Sequence, residues 1–372
     1  MHDFFAGRRV LLTGHTGFKG GWLALWLREL GAEVTGFGGP PPTEPSLFGL
    51  ARVADGLEDV RGDLRDRAAV AAAVAVAPPE VVFHLAAEPL VRRAWRAPVD
   101  AFAVNALGTA HVLDAVREYA PEAAVVVVTT DKVYADPDSG RRFREGDPLG
   151  GKDPYSASKA AAELVAAAYR DSYDLRIATA RAGNVIGGGD WAGDRILPDA
   201  VRAARAGTPL VVRDPAAIRP WQHVLNPLSG YLVLAERLAG SGEHARAWNF
   251  APPLEDEQRP VAWLVERFGA ALGGRLEVSA PAHRDGPVEA ARLALDPSLA
   301  AERLGWRERW ELERGVAETA AWYRRVVFER ADARDVTLAQ IRDFGTPCGA
   351  GATNREVAAR PTRRSAPPGA HG

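Results

Sequence analysis

The sequence predicts an α/β protein: a Rossmann-type doubly wound parallel sheet with a smaller C-terminal substrate-binding lobe. Three observations predict it. Arg9 to Thr13 reads as a strand that runs straight into Gly14-His15-Thr16-Gly17-Phe18-Lys19-Gly20, and a helix pattern follows. Short valine-rich runs recur, at Val81 to Phe83 and Ala123 to Val128, with the continuous apolar character of strands buried on both faces. Polar residues then emerge as Thr129-Thr130-Asp131-Lys132, at the carboxyl end of such a run, where open α/β sheets bind their ligands.

The chain has 372 residues, enough for one large α/β domain and a smaller lobe. A net charge of −2 and 47% hydrophobic residues describe a globular protein without the basic footprint of a nucleic-acid binder. The one cysteine, Cys348, rules out an internal disulfide and a cysteine metal cluster, and suits a reducing cytoplasm. No apolar run reaches bilayer length; Ala68 to Ala77 stops at Pro78-Pro79. The first strand begins at Arg8 to Leu12, which leaves no room for a signal peptide.

The first element is the strand before the glycine loop. Glycines at 14, 17 and 20 form a Gly-x-x-Gly-x-x-Gly turn. The first permits the tight turn, the second lets backbone approach a pyrophosphate, and the third lets helix and strand pack closely. Amide donors come from the N-terminus of a helix carrying Trp22, Leu23, Leu25, Trp26, Leu27 and Leu30, closed by Gly31. A tight βα turn without a ligand would use the same glycines.

Glu33 to Phe37 is the second strand. Dinucleotide folds usually end it with an acid for the adenosine ribose, but Gly36-Phe37-Gly38-Gly39 has neither an acid nor an arginine directly after it. With no cation there for a 2′-phosphate, the reading leans to NAD over NADP. Val60 to Asp66 is a strand end in which Asp63 serves either as an adenine contact or as a helix N-cap. Val81 to Glu88 is the fourth strand and its exit: Ala86 and Ala87 let a cofactor lie against the backbone, His84 reads as a packed histidine, and Glu88 faces ligand or solvent. Val104 to Thr109 opens an apolar helix that runs to Tyr119, and Asn105 either bonds across the site or holds the helix start. Alanine-rich helices at 100–119 and 155–172 either pair with a second subunit or only cover the sheet.

Tyr155-Ser156-Ala157-Ser158-Lys159 follows the fifth strand after a loop. On one helix, Tyr155 and Lys159 share a face one turn apart. A phenol with a pKa of about 10 is a poor base at neutral pH, and a nearby ammonium favours its phenolate. Lysine usage strengthens this. Of 46 basic residues only Lys19, Lys132, Lys152 and Lys159 are lysines, and three of these four fall in the glycine loop, in Thr129 to Tyr134 or in Tyr155 to Lys159. Lysine is the cation whose pKa moves readily on burial.

Arg176 to Trp191 gives a sixth strand with a glycine-rich exit, after which the βα rhythm fades. The expected division is 1–185 for the dinucleotide-binding domain, with parts of 220–250 returning to it, and 186–344 for the substrate-binding lobe. Residues 345–372, rich in Pro, Gly, Ala and Arg, read as a disordered tail.

In order along the chain, Gly14 to Gly20, Asp63-Leu64, Leu85-Ala86-Ala87, Asn105, Thr129-Thr130-Asp131 and Tyr155 to Lys159 resemble the extended short-chain dehydrogenase/reductase family. Within it, the Phe18-Lys19 pair, Thr129 to Tyr134, Asp153-Pro154-Tyr155-Ser156, Arg181 to Trp191 and Arg219 to Val224 are similar to the CDP-glucose branch of the nucleotide-sugar 4,6-dehydratases, over residues 8 to 344. The resemblance implies bound NAD, held by the loop residues Gly14, Thr16, Gly17, Phe18, Lys19 and Gly20, by Asp63, Leu64, Leu85, Ala86, Ala87, Asn105, Thr129 and Val185, and by Tyr155 and Lys159. It implies a CDP-glucose substrate contacted by Glu88, Thr130, Asn184, Arg195 and Arg219, a cytoplasmic homodimer or dimer of dimers, and no metal. Tyr155 assisted by Lys159 would take the C4 hydroxyl proton, Thr130 would hold the C4 oxygen, and Asp131 would protonate the leaving C6 hydroxyl. Relatives acting on dTDP-glucose pair that acid with a glutamate base, where this chain has Lys132. As a base, Lys132 would need a fall of roughly three pKa units; its alternative is to orient Asp131. A 4-epimerase would need the tyrosine and lysine but not Asp131, and a catalytically silent NAD-binding regulator would need neither.

Overall fold

The computed structural model describes residues 2–135, 140–253, 259–281 and 293–345. The tail expected at 345–372 lies, beyond Gly345, outside the described residues. The main sheet has seven parallel strands: β1 (Arg9–Thr13), β2 (Glu33–Gly38), β3 (Glu58–Arg61), β4 (Val81–His84), β5 (Ala124–Val128), β6 (Ile177–Ala182) and β7 (Ala247–Phe250). Their order is β3-β2-β1-β4-β5-β6-β7, so the winding reverses between β1 and β4 and opens a crevice at their carboxyl ends.

Strand β5 shows why these residues make a central strand. All five are buried, with Ala124, Val126 and Val128 in the core on one face and Val125 and Val127 in the core on the other. Each valine so enclosed adds about 1.5–3 kcal/mol relative to exposure. Helices α1 (Phe18–Glu29) and α5 (Leu225–Gly240) cover one face, while α2 (Arg67–Val76), α3 (Gly108–Tyr119) and α4 (Pro154–Tyr173) cover the other.

The glycine loop is dictated by backbone proximity. Gly14 has φ +80°, and a Cβ there would lie 2.7 Å from the Ala86 nitrogen. One on Gly20 would lie 2.0 Å from the Gly14 carbonyl oxygen. Backbone cannot swing aside as a side chain can, so Gly20→Ala should cost about 3 kcal/mol, read as a lowered midpoint of denaturant unfolding; an unchanged midpoint would refute the packing argument.

Asp66, rather than Asp63, caps α2: its Oδ1 accepts from the Ala68 and Ala69 amides at 3.0 and 3.1 Å. Asp63 instead lines the cavity, its carboxylate held by the Arg65 amide at 2.9 Å and the Arg65 guanidinium at 2.7 Å. The helix expected from 104 onward is one turn of wider pitch over Ala103–Leu107 before α3 begins at Gly108. Such a turn is common where a helix serves a site, and Asn105 sits in it.

Beyond β6 the chain makes a two-residue parallel ladder between Val185–Ile186 and Gln222–His223. This ladder brings Pro220 back beside Gly183, where a Cβ would lie 2.7 Å from Pro220 and 3.0 Å from Asp131 Oδ2.

Candidate active site

Tyr155 sits in the first turn of α4. Asp153 caps that turn, accepting from the Ser156 amide at 3.0 Å, and Pro154 occupies the first helical position, where its missing N–H leaves nothing unpaired. The helix N-terminus favours negative charge on a group placed there. One turn on, the Lys159 ammonium donates to the Val128 carbonyl at 2.8 Å and so ties α4 to the end of β5. Burial lowers Lys159 to about 8, and the charge of Glu163 opposes the fall.

Strand β5 leads into Thr129 and Thr130 and then a single 3₁₀ turn, Asp131–Val133. The Thr130 hydroxyl accepts from the Lys132 amide at 3.4 Å and donates to Asp131 Oδ1 at 3.0 Å. Lys132 Nζ approaches the same oxygen at 3.3 Å. The Asp131 side chain is 1% exposed and that of Lys132 23%. Lys132 thus lies at the cavity wall within reach of the Asp131 carboxylate.

The expectation for Tyr155 needs a correction. Burial raises its pKa above the ordinary value, and a hydrogen bond with Thr130 and the charge of Lys132 oppose the rise. Desolvation of the phenolate outweighs the neighbouring cations.

These groups line one cavity of about 1360 Å³. Every residue named from the sequence for cofactor, substrate or chemistry lines it, except Asn105. Asn105 lies beneath. Its Oδ1 accepts from the Glu88 amide at 2.8 Å, and its Nδ2 donates to the Glu88 carbonyl and to Ser158 Oγ at 3.2 and 2.9 Å. It therefore locks the Glu88 loop to α4. His84, as expected, is packed, between Thr13 and Thr109 hydroxyls at 2.7 and 3.0 Å.

A dinucleotide fits the glycine end. The first turn of α1 begins at Gly17 with no side-chain cap, so its amides remain available to a pyrophosphate. At the β2 end the sequence showed no cation, yet Arg61 lines the cavity there and donates to the Gly39 carbonyl at 3.1 Å. Register is the signal that would have found it: Gly38 lies opposite Arg61 across β2 and β3. Asp59 neutralises that guanidinium at 2.8 Å and also meets His15 Nε2 at 2.7 Å.

Lys19 reaches away from its loop to the Tyr231 hydroxyl at 3.1 Å, and burial, with the charges of Lys159 and Arg195 beside it, lowers it to about 7. At the other end, Arg219 donates to the Ile218 carbonyl at 2.9 Å, Arg195 lies 3.7 Å from Asp190, and Asn184 Oδ1 is buried without a hydrogen-bond partner. Two further arginines, Arg92 and Arg213, line the mouth and converge on Asp194 Oδ1 at 3.6 and 3.4 Å. Gly183 closes the floor: a Cβ there would lie 3.0 Å from Asp131 Oδ2 and 2.7 Å from Pro220. Among the described residues, no group of three His, Cys, Asp or Glu side chains is placed to hold a metal, and no helix is long and apolar enough to cross a membrane.

Residues 11–319 match the family model described as GDP-mannose 4,6 dehydratase. CDP-glucose 4,6-dehydratase of Salmonella typhimurium is 43% identical over 332 residues, covering 87% of this chain and 92% of that relative. A dTDP-glucose 4,6-dehydratase of Xanthomonas campestris is 29% identical, covering 84% and 92%. A dTDP-glucose 4,6-dehydratase of Streptomyces venezuelae, solved as a double mutant with NAD bound, superposes with a TM-score of 0.73 at 26% identity, covering 85% of this chain and 97% of that one.

Proposed function

The chain belongs to the GDP-mannose 4,6-dehydratase family of extended short-chain dehydrogenases/reductases, and from that premise we propose that it converts CDP-D-glucose to CDP-4-keto-6-deoxy-D-glucose and water, using NAD. The observation that carries the chemistry is the convergence of Tyr155, Thr130 and Asp131 in one cavity with the glycine loop. The CDP-glucose relative supports the choice of substrate.

NAD, which the glycine loop with Tyr155 and Lys159 would hold, would supply the acceptor for hydride from C4 and its donor to C6, so that no net oxidation results. Tyr155 removes the C4 hydroxyl proton while Thr130 holds the C4 oxygen. Lys159, charged below about pH 8, stabilises the phenolate. A ketone at C4 acidifies the C5 hydrogen; that proton passes to the Lys132 amine and returns to C5 when hydride reaches C6, and Asp131 delivers the proton with which the C6 hydroxyl leaves as water. Lys132 holds the Asp131 carboxyl in place through Oδ1. Arg219 pairs with the diphosphate, whose oxygens a guanidinium meets bidentately, with Asn184 and Arg195 beside it, and Glu88 lies over the sugar. Residues 1–185 chiefly bind the cofactor and 186–344 chiefly the nucleotide sugar. The protein works in the cytoplasm as a homodimer; exposed Val99, Phe102, Leu107 and Leu164, along the helices at 98–119 and 154–173, support a second copy.

With catalytic NAD, CDP-glucose should yield a 4-keto sugar without accumulated NADH, against a panel of UDP-, dTDP- and GDP-glucose. Net NADH, or turnover only with another nucleotide, would overturn the assignment. Product epimerised at C4 with its C6 oxygen intact would make the protein an epimerase.

A further inference from the structure

Tyr155, Lys159 and Glu163 occupy successive turns of α4, four residues apart, and so share one face. Two of them enter the chemistry. The third is 4% exposed and accepts hydrogen bonds from four donors: Thr129 Oγ1 at 2.5 Å, Thr179 Oγ1 at 2.6 Å, and Arg181 Nε and Nη2 at 2.9 and 2.8 Å. Few surface glutamates hold such a set; here Thr179 and Arg181 from β6 and Thr129 just past β5 converge on one carboxylate inside the protein.

The network runs on to the reacting stretch from both ends. Thr129 begins it directly. Arg181 Nη1 donates to the Tyr134 hydroxyl at 2.8 Å and to the Glu145 carbonyl at 3.0 Å, and Tyr134 in turn donates to Asn249 Oδ1 at 2.7 Å. Thr130, Asp131 and Lys132 therefore hang between two residues pinned by the same ion pair. Two other elements bring titratable groups towards Lys159: Lys19 from α1, lowered to about 7, and His84 from β4, held neutral by burial at about 3. Neither carries negative charge. Among the described residues, Glu163 is the acid whose charge acts on Lys159.

We propose that Glu163, paired with Arg181, is a positioning residue that keeps Lys159 charged and fixes the stretch from Thr129 to Tyr134 that carries the acid. The proposal rests on the reading of Tyr155 and Lys159 as the proton-handling pair, and its test uses a readout independent of turnover. With four lysines in the chain, carbon-13 labelling of lysine Cε resolves each titration by NMR, and Lys159→Met assigns the signal. In Glu163→Gln the Lys159 midpoint should fall from about 8 by about one unit, and the alkaline limb of CDP-glucose turnover should move down with it. Glu163→Asp, which keeps the charge, should stay close to the parent.

Removing one partner of a buried ion pair is strongly destabilising, whereas removing both is tolerated better. If Glu163→Gln does not fold, Glu163→Gln with Arg181→Met carries the test, and a smaller fall in the Lys159 midpoint is expected because the opposing guanidinium has also gone. An unchanged Lys159 midpoint in whichever of these proteins folds, with only the unfolding temperature lowered, would overturn the proposal by making the pair a plain structural bridge. Absence of turnover with CDP-glucose in the parent would instead strike at the proposed function and leave the titration standing.

Discussion

Replacing Tyr155 by phenylalanine should lower kcat for CDP-glucose by about 10³-fold, with KM little changed, because positioned proton transfer contributes roughly 10²–10⁴ and the ring that fills the site is kept. Both the first oxidation and the overall reaction should slow together, since removal of the C4 proton precedes every later step. The measurement is single-turnover reduction of bound NAD alongside steady-state formation of the 4-keto sugar. The pH dependence has a definite sign. Activity in the parent should fall above about pH 8 as Lys159 loses its charge. A residual kcat within about tenfold of the parent would remove Tyr155 from its role, since so small a loss is below the range for a proton-transfer group.

Asp131→Asn should part the two halves of the reaction. Asparagine keeps the shape, and its carbonyl oxygen still accepts from Thr130 and Lys132, which meet Asp131 Oδ1 at 3.0 and 3.3 Å. It has no proton to give at Oδ2, the oxygen that lies buried without a hydrogen-bond partner beside Gly183. Oxidation at C4 should therefore proceed near the parent rate, and loss of water should slow by about 10²–10³. Reduced nicotinamide would accumulate on the enzyme in a single turnover, together with 4-keto-glucose that still carries its C6 oxygen. If Asp131→Asn stopped oxidation as completely as Tyr155→Phe, or formed product at the parent rate, the separate role of this carboxyl would be lost. The two variants are informative as a pair: one acts before the ketone forms, the other after.

Much of this was readable from the chain. The strand, the glycine loop and the helix after it are contiguous, so Gly14 and Gly20 announce close backbone contact by type alone. Tyr155 and Lys159 are four apart on one helix, and helical geometry places them on one face whatever surrounds them. Valine content made β5 a buried strand, and its carboxyl end made Thr129 to Lys132 the edge of a site.

Other features were closed to that reading. Asn105 lies among the family's motif positions, yet its partners are Glu88 and Ser158, 17 and 53 residues away, and only packing shows that it braces the site from below. Tyr155 carries the right neighbours by sequence, but the direction of its shift depends on how completely the fold desolvates it.

The sequence by itself determined the sheet, the cofactor loop and the tyrosine–lysine face, because each follows from local periodicity or from the conformational demands of glycine. Only the tertiary structure decided that Glu163 answers to Arg181, that Lys19 reaches Tyr231 across 212 residues of chain, and that Arg61 stands at the end of β2. Those contacts are set by strand register and by the packing of distant elements, and the energies that select them are summed over the whole core rather than written in any one stretch.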